Sequence, residues 1–262
     1  MTDSATDRRL LFEVKGGIAR VTINRPEARN AFTLSMYEEL ARACEAVGKD
    51  ESIRVLIVTG AGDRAFSAGT DISAFRDFRT AEDAAGYEEF MERVLSGLER
   101  CPVPSIAAVA GVCTGGGAVI AACCDLRIGT ADAKFGFPIA RTLGNCLSAR
   151  NLARFSALTG PQRVKELIFT ARLMGAEEAV RAGLLTEAVK DRNELDARVQ
   201  ALAETIKGLA PLTLRATKEA LRRLQEHEVP DRDLISMCYT SEDFREGMAA
   251  FLEKRPPNWR GK

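Results

Sequence analysis

The sequence lacks the ligands and the charge bias of metal-binding, nucleic-acid-binding and membrane-surface proteins. It contains a single histidine, His227, and its 37 basic residues are balanced by 37 acidic ones. One histidine argues against a zinc site. A net charge of zero gives no global attraction to nucleic acid or to an anionic membrane. We therefore expect no metal, no nucleic-acid partner and no membrane partner.

The sequence also lacks the patterns that mark an exported protein. Its seven cysteines are odd in number, include the neighbours Cys123 and Cys124, and form no Cys-x-x-Cys pair. That usage favours reduced thiols over disulfides. Residues 1–9 are polar and charged, without the apolar core of a signal peptide. We expect a disordered tail at 1–9 and a cytoplasmic protein.

The longest charge-free run contains Ser105 to Cys124 and indicates a strand, a glycine turn and a helix. The apolar stretch at 106–109 is typical of a buried strand, and the small residues at 118–124 favour a buried helix. Its Ala and Gly content argues against a membrane span. No Lys-Ser/Thr follows the glycines and no Gly-x-Gly-x-x-Gly spacing is present, which argues against nucleotide binding of those kinds.

Three consecutive glycines, Gly115 to Gly117, stand where this helix should begin. Glycine lets the backbone approach a ligand closely, and the first amides of a helix lack acceptors, so the turn could bind a negative oxygen. The alternative is tight packing of the helix on a sheet. A second glycine turn, Gly69-Thr70, could deliver another amide. Two amides that converge on one point make an oxyanion hole.

Strand and helix signals alternate along the chain and then give way to helices. The pattern predicts a hairpin around Gly16-Gly17, a helix capped by Ser35 and Glu38, a buried strand at 55–59, and a helix at 82–99. From Pro161 onward the pattern is helical. A chain of 262 residues fits one domain with an appendage. We predict an α/β fold with a helical C-terminal region.

Four motifs together resemble the crotonase superfamily, the enoyl-CoA hydratase/isomerase family, over nearly the whole chain. They are Ile23-Asn-Arg-Pro-Glu-Ala-Arg-Asn-Ala31, Ala65-Phe-Ser-Ala-Gly-Thr-Asp-Ile72, the block Gly115 to Gly117, and the segment from Glu242 to Arg255. The resemblance implies a spiral of strand-strand-helix units at 10–194. It also implies a helical C-terminal region at 195–262 that builds a homotrimer or a dimer of trimers.

The resemblance also implies which residues meet the substrate. The two oxyanion amides would be those of Thr70 and Gly116, and both would bind the thioester carbonyl of an acyl-coenzyme A. Coenzyme A would be part of the substrate, with no permanently bound cofactor. The residues expected along the coenzyme are Ala28, Arg29, Ala68, Asp71, Ile72 and Lys254, with Lys254 near the phosphate end. From the residues alone, Asp71 is instead expected to cap its turn.

The sequence departs from the hydratase pattern at both catalytic glutamates, whose positions are occupied by Val119 and Ile139. Apolar side chains can neither accept a proton from water nor donate one to carbon. Segment 143–149, where some isomerases place an acid, contains no carboxylate. Isomerisation, decarboxylation or thioester hydrolysis is therefore expected over hydration. The polar candidates to replace the glutamates are Arg141, Asn145, Cys146 and Ser148. Arg141 could instead be a surface or subunit contact, and Cys146 a small core residue.

Two other classes stay open. A catalytically silent acyl-CoA binder would keep the glycine turns and lose the carboxylates. A serine hydrolase could use Ser67 in Ala65-Phe-Ser-Ala-Gly69, which resembles a nucleophile elbow, with His227 as base. His227 lies in a charged helix end, where a histidine is more often solvated.

Overall fold

A computed structural model describes residues 9–76, 78–225, 233, 237 and 240–262. The predicted tail, apart from Arg9, lies outside these residues, as do Asp77 and His227. The strands are β1 Leu10–Lys15, β2 Ile18–Ile23, β3 Val55–Gly60, β4 Ala65–Ser67, β5 Ser105–Val109, β6 Val112–Thr114, β7 Leu126–Thr130, β8 Lys134–Gly136, β9 Met174–Gly175 and β10 Glu187–Val189. The helices are α1 Leu34–Lys49, α2 Ala81–Glu99, α3 Gly116–Cys123, α4 Ile139–Thr142, α5 Ala149–Thr159, α6 Pro161–Thr170, α7 Ala176–Arg181, α8 Arg192–Lys207, α9 Pro211–Gln225 and α10 Glu242–Glu253.

The strands form two sheets, and the chain passes repeatedly from one to the other. The larger sheet has the order β1-β2-β3-β5-β7-β10 and the smaller one β4-β6-β8-β9. Pairing is parallel except between β1 and β2 and between β8 and β9. Consecutive strands β3 and β4, β5 and β6, and β7 and β8 each divide between the two sheets. This is the predicted spiral, so the α/β fold class is confirmed.

The central strands of the larger sheet are covered on both faces. Every residue of β3 and of β5 is buried, as their continuous apolar sequences require for an inner parallel strand. Helices α1, α2 and α3 supply residues to the main core, whereas α8 packs on the other face through Leu195, Val199 and Ala203. Helix α8 thus packs directly on the larger sheet. The predicted division of the chain into a spiral core at 10–194 and a helical C-terminal region at 195–262 stays a prediction.

Local signals predicted some helix ends and missed others. The hairpin at Gly16-Gly17 is present, with β1 and β2 antiparallel. The predicted cap of α1 is wrong, because Thr33 caps this helix and Ser35 lies inside its first turn. Thr33 has an extended backbone and its hydroxyl accepts from the Met36 amide, as an N-cap requires.

The helices of the described residues are too short or too polar to serve as membrane spans.

Candidate active site

The first glycine turn presents the backbone amide of Thr70 away from its neighbouring strand. Thr70 pairs with Phe32 in an isolated parallel bridge. The Phe32 amide donates to the Gly69 carbonyl at 2.8 Å, and the Asp71 amide donates to the Phe32 carbonyl at 2.8 Å. In a parallel bridge these two bonds flank the central residue, whose own amide faces the opposite side. The Thr70 amide is therefore directed away from Phe32.

The second glycine turn lies on that opposite side. Gly115 has a positive φ of 55°, and helix α3 begins at Gly116, whose amide is among those without an intrahelical acceptor. A Cβ atom added to Gly116 would lie 3.5 Å from the Thr70 nitrogen and would collide with the Tyr37 hydroxyl. A Cβ atom on Gly69, where φ is +103°, would lie 3.1 Å from the Gly116 nitrogen. The two turns touch, and their contact leaves room only for glycine.

The geometry therefore brings together the two residues predicted to form an oxyanion hole. Their amides belong to backbone that is fixed by a strand bridge on one side and by a helix start on the other. A donor of this kind, held in place before the reaction, is worth about 3–4 kcal/mol of barrier when charge develops on a bound oxygen. The assignment of Thr70 and Gly116 as oxyanion donors stays a prediction.

The side chain of Thr70 is held by two tyrosines. The Thr70 hydroxyl lies 2.9 Å from the Tyr37 hydroxyl and 2.8 Å from the Tyr87 hydroxyl. Burial, followed by the proximity of Tyr87, raises the pKa of Tyr37 above its usual value, and burial raises the pKa of Tyr87 to about 12. Both phenols are therefore neutral near pH 7. Sequence analysis missed this chain of hydroxyls, because the three residues are far apart in sequence.

A cavity of about 310 Å³ adjoins Tyr87. Its aromatic wall consists of Phe75, Phe78 and Tyr87, whose rings meet edge to face with centroids 5.1 to 5.8 Å apart. Asn145 and Cys146 also line the cavity, whereas Arg141 is exposed and is not among its lining residues. The roles predicted for Arg141, Asn145 and Cys146 stay predictions, and only the last two line this cavity.

One carboxyl group lines the same cavity, and sequence analysis missed it. Glu88 follows Tyr87 on α2 and is half-buried. Burial raises the pKa of Glu88, the nearby Ser148 hydroxyl lowers it, and Glu92 raises it again, so that the pKa is raised overall. The helical periodicity that placed Tyr87 on the apolar face of α2 gave no sign that the next residue also faces a cavity.

The two positions predicted to replace the hydratase glutamates lie in the main hydrophobic core. Val119 on α3 and Ile139 at the start of α4 are both buried, with 2% and 8% of their surface exposed. Neither contributes a polar atom to the site. Ser67 is also fully buried, and its hydroxyl accepts a hydrogen bond from the Gly69 amide. A hydroxyl in this environment stabilises a turn. His227, the base that a serine hydrolase would need, lies outside the described residues.

The two segments predicted to lie along coenzyme A are joined by their backbones. The Ala68 amide donates to the Arg29 carbonyl at 3.0 Å, and the loop that contains Arg29 is held by the buried side chain of Asn30. Ala28 ends a single 3₁₀ turn in this loop. Lys254 follows α10 and is exposed. These positions stay predictions as coenzyme contacts.

Asp71 connects the first glycine turn to the Arg29 loop. Its carboxylate accepts from the Ser73 amide and hydroxyl and forms an ion pair with Arg25, which also donates to the Ala31 carbonyl. The bond from the Ser73 hydroxyl, followed by that from Arg25, holds the pKa of Asp71 well below its usual value. Asp71 therefore caps its turn, while Ile72 beside it is largely exposed.

The described residues offer no group of three or more His, Cys, Asp or Glu side chains that could hold a metal ion. Six described cysteines are free, and all but Cys146 are buried. The functional groups described at this site are the backbone amides of Thr70 and Gly116, the hydroxyls of Tyr37 and Tyr87, and the carboxyl group of Glu88.

Comparison with known proteins identifies the class to which this fold and site belong. The family described as enoyl-CoA hydratase/isomerase matches residues 13–262. A crotonyl-CoA hydratase from Syntrophomonas wolfei is 35% identical, over 97% of this chain and 98% of that protein. A short-chain-enoyl-CoA hydratase from Clostridium acetobutylicum is 34% identical, over 94% of this chain and 95% of that protein.

Solved structures agree with these sequence relationships. An enoyl-CoA hydratase/carnitine racemase from Magnetospirillum magneticum superposes with a TM-score of 0.91 at 37% identity, covering 97% of this chain and 96% of the other. An enoyl-CoA hydratase subunit from Geobacillus kaustophilus superposes with a TM-score of 0.88 at 33% identity, covering 97% and 99%. The chain belongs to the enoyl-CoA hydratase/isomerase family, with the crotonase fold.

Proposed function

We propose that this protein binds a coenzyme A thioester and stabilises negative charge on its carbonyl oxygen with the amides of Thr70 and Gly116. The observation that carries the proposal is the contact between the two glycine turns, which leaves 3.5 Å between the Thr70 nitrogen and a Cβ atom built on Gly116. A thioester carbonyl placed between the amides would face the cavity beside Tyr87. The enolate formed by loss of an α-substituent or α-proton would then gain most from the two donors.

We propose further that hydration of an enoyl thioester is not the main reaction. Water addition needs a base for water and an acid for the α carbon, and Val119 and Ile139 supply neither. The proposed reactions are isomerisation, decarboxylation or thioester hydrolysis. A silent acyl-CoA binder is the alternative, and turnover on a broad panel of acyl-CoA thioesters would separate it from an enzyme. Two relatives that are 34–35% identical are named hydratases. The proposed loss of the two glutamates is the feature by which this chain would differ from them in its reaction.

The coenzyme is proposed to lie along the joined segments that contain Ala28 and Arg29 on one side and Ala68, Asp71 and Ile72 on the other. Lys254 would meet its phosphates. We also propose a homotrimer or a dimer of trimers in the cytoplasm. The exposed apolar residues of α9 support the assembly, and the free described cysteines support a reducing compartment.

Paired ligands test the proposal without knowledge of the reaction. Butyryl-CoA and its thioether analogue S-butyl-CoA differ mainly in the carbonyl, which only the thioester offers to the two amides. We expect butyryl-CoA to bind about tenfold more tightly, because two net hydrogen bonds to a neutral carbonyl contribute about 1–2 kcal/mol. Titration calorimetry measures both affinities.

Two glycine variants serve as test and control. Gly116→Ala should remove the preference for the thioester, because the added methyl group collides with Tyr37 and displaces the turn. Gly97→Ala should keep it, since a Cβ atom there meets nothing within 4 Å. Equal affinities for the two ligands in the unmodified protein, or no binding of either at millimolar concentration, would refute the proposed function.

A further inference from the structure

Two glutamates one turn apart on α2 stand in opposite electrostatic settings. Glu92 accepts hydrogen bonds from Arg154 at 2.8 Å and from Arg150 at 2.9 Å, as well as one from the Ser96 hydroxyl. Burial raises the pKa of Glu92, but these donors outweigh it and lower the pKa to about 2. Glu92 is therefore a permanent carboxylate that joins α2 to α5.

Glu88 has no such cation. Within the described part of the chain, no lysine or arginine forms an ion pair with its carboxyl group, because Arg150 and Arg154 pair with Glu92, and the nearby Ser148 lowers its pKa. Its side chain borders the 310 Å³ cavity together with Asn145 and Cys146. An apolar cavity without a counter-ion disfavours the charged carboxylate and raises the pKa of the group. The group can then both release and accept a proton closer to neutral pH, as a general acid or base must.

A single residue, Tyr87, connects the cavity of Glu88 with Thr70, one of the two proposed oxyanion donors. Tyr87 precedes Glu88, lines the same cavity, and its hydroxyl lies 2.8 Å from that of Thr70. A thioester whose carbonyl oxygen meets the Thr70 amide would therefore extend its acyl chain along Tyr87 toward Glu88. Within the described residues, Glu88 is the one carboxyl group among the cavity's lining residues.

We propose that Glu88 is the acid–base residue that moves a proton on the acyl chain, in place of the glutamates replaced by Val119 and Ile139. This inference rests on the proposed function. In the step, the Glu88 carboxylate takes a proton from the α carbon, the electron pair of that C–H bond forms a carbon–carbon double bond, and the carbonyl π electrons move to oxygen. The resulting enolate is held by the amides of Thr70 and Gly116.

The Glu88 carboxylic acid then returns the proton to carbon, and the carbonyl re-forms. If the carboxyl proton of Glu88 first exchanges with solvent, its return to the same carbon replaces the α-proton by a solvent proton, whereas its return to the γ carbon of an unsaturated chain moves the double bond. Neither course consumes water or needs another reactant. The acyl substrate is thus expected to be apolar and to carry at least one α-proton, in keeping with the aromatic wall of Phe75, Phe78 and Tyr87.

Exchange of the α-protons of butyryl-CoA in deuterium oxide, followed by mass spectrometry, measures this step directly. We expect the unmodified protein to catalyse exchange and Glu88→Gln to lower the rate about a hundredfold or more, since general acid–base help is worth roughly 10² to 10⁴. Glu89→Gln is the matched control, because Glu89 is exposed and is not among the cavity's lining residues. It should exchange at the unmodified rate.

A pH profile separates proton transfer from a structural role. Exchange should rise as Glu88 loses its proton, with a midpoint above the usual glutamate pKa of about 4.3. Ser148→Ala should move the midpoint upward, because the Ser148 hydroxyl lowers the pKa of Glu88. The titratable or charged groups near Glu88 include Tyr87, Glu89 and Glu92 on α2, Cys146 in the cavity wall, and Arg150 and Arg154 on α5.

The outcomes distinguish this inference from the proposed function. If the thioester is preferred over the thioether but the unmodified protein catalyses no exchange, the inference is wrong and the binding function stands. Exchange that persists in a folded Glu88→Gln variant with unchanged butyryl-CoA affinity also overturns it. In that case, Cys146→Ser shows whether the remaining cavity thiol carries the proton.

Discussion

The hydroxyl groups of Thr70 and Tyr37 lie 2.9 Å apart, and this contact joins the glycine turn of the proposed oxyanion amide to helix α1. Tyr37 is fully buried and stacks on Phe32, with ring centroids 4.6 Å apart. Phe32 in turn forms the backbone bridge with Thr70. The backbone and the side chain of Thr70 are thus fixed by neighbouring residues of one segment, so its amide is held in place before a substrate arrives.

The Thr70 side chain should matter for stability more than for chemistry. Thr70→Val keeps the shape but leaves the buried Tyr37 hydroxyl without this partner, and we expect a loss of about 1–3 kcal/mol in the free energy of unfolding. Thr70→Ser keeps the hydroxyl and should cost much less. Denaturant unfolding measures both variants. Equal stability of Thr70→Val and the unmodified protein would show that the hydroxyl chain contributes little.

The hydrogen bonds of Asp71 with Ser73 and its ion pair with Arg25 should make stability depend on acid pH. The pKa of Asp71 is lowered in the folded protein, so its contribution is fully present above the unfolded pKa of about 3.9 and is lost as the pH falls toward the folded value. Asp71→Asn should therefore be less stable than the unmodified protein at about pH 6, with the gap narrowing below about pH 4. Melting temperatures across this range measure the gap, and a constant gap would contradict the assignment.

Hydration of crotonyl-CoA should be absent or at least about a thousandfold slower than in the Syntrophomonas wolfei relative. The oxyanion amides can polarise the thioester, but Val119 and Ile139 provide no proton transfer, which is worth up to about 10⁴ in rate. Loss of the enoyl absorbance measures hydration in both proteins under one set of conditions. Rates within tenfold of each other would mean that another group activates water.

In solution, the protein should have the mass of a trimer or of a dimer of trimers of its 28.5 kDa chain. Helix α9 has no buried residue, and its Leu221 and Leu224 are each 57% exposed, which is costly in water. Light scattering at micromolar concentration measures the mass. The paired change Leu221→Glu and Leu224→Glu should lower it, whereas a stable monomer before any change would rule out the predicted assembly.

The sequence was informative where function depends on local backbone. Two glycine turns can be identified from the residues around Gly69 and Gly116, because only glycine tolerates the conformations and close contacts found there. The alternation of strand and helix signals likewise predicted the α/β layers. In each case the physical cause lies within a few neighbouring residues, so the pattern could be recognised without the fold.

The contents of the cavity could not be predicted in this way. Tyr87 follows the apolar periodicity of α2, but Glu88 beside it is indistinguishable from a solvated helix residue until the segment at 143–148 is placed across from it. The hydrogen bonds of Thr70 span 33 and 17 residues. Such contacts depend on how helices pack, and one sequence contains no periodic signal for them.

The carbonyl stretching frequency of bound butyryl-CoA, labelled with ¹³C at its thioester carbon, tests the proposed oxyanion hole most directly. Two amide donors at Thr70 and Gly116 draw electron density to the oxygen and weaken the carbonyl bond. Isotope-edited infrared difference spectra should therefore show a lower frequency for bound than for free ligand, with the shift reduced in Gly116→Ala and retained in Gly97→Ala. A bound ligand whose carbonyl frequency equals that of the free thioester would contradict the oxyanion hole.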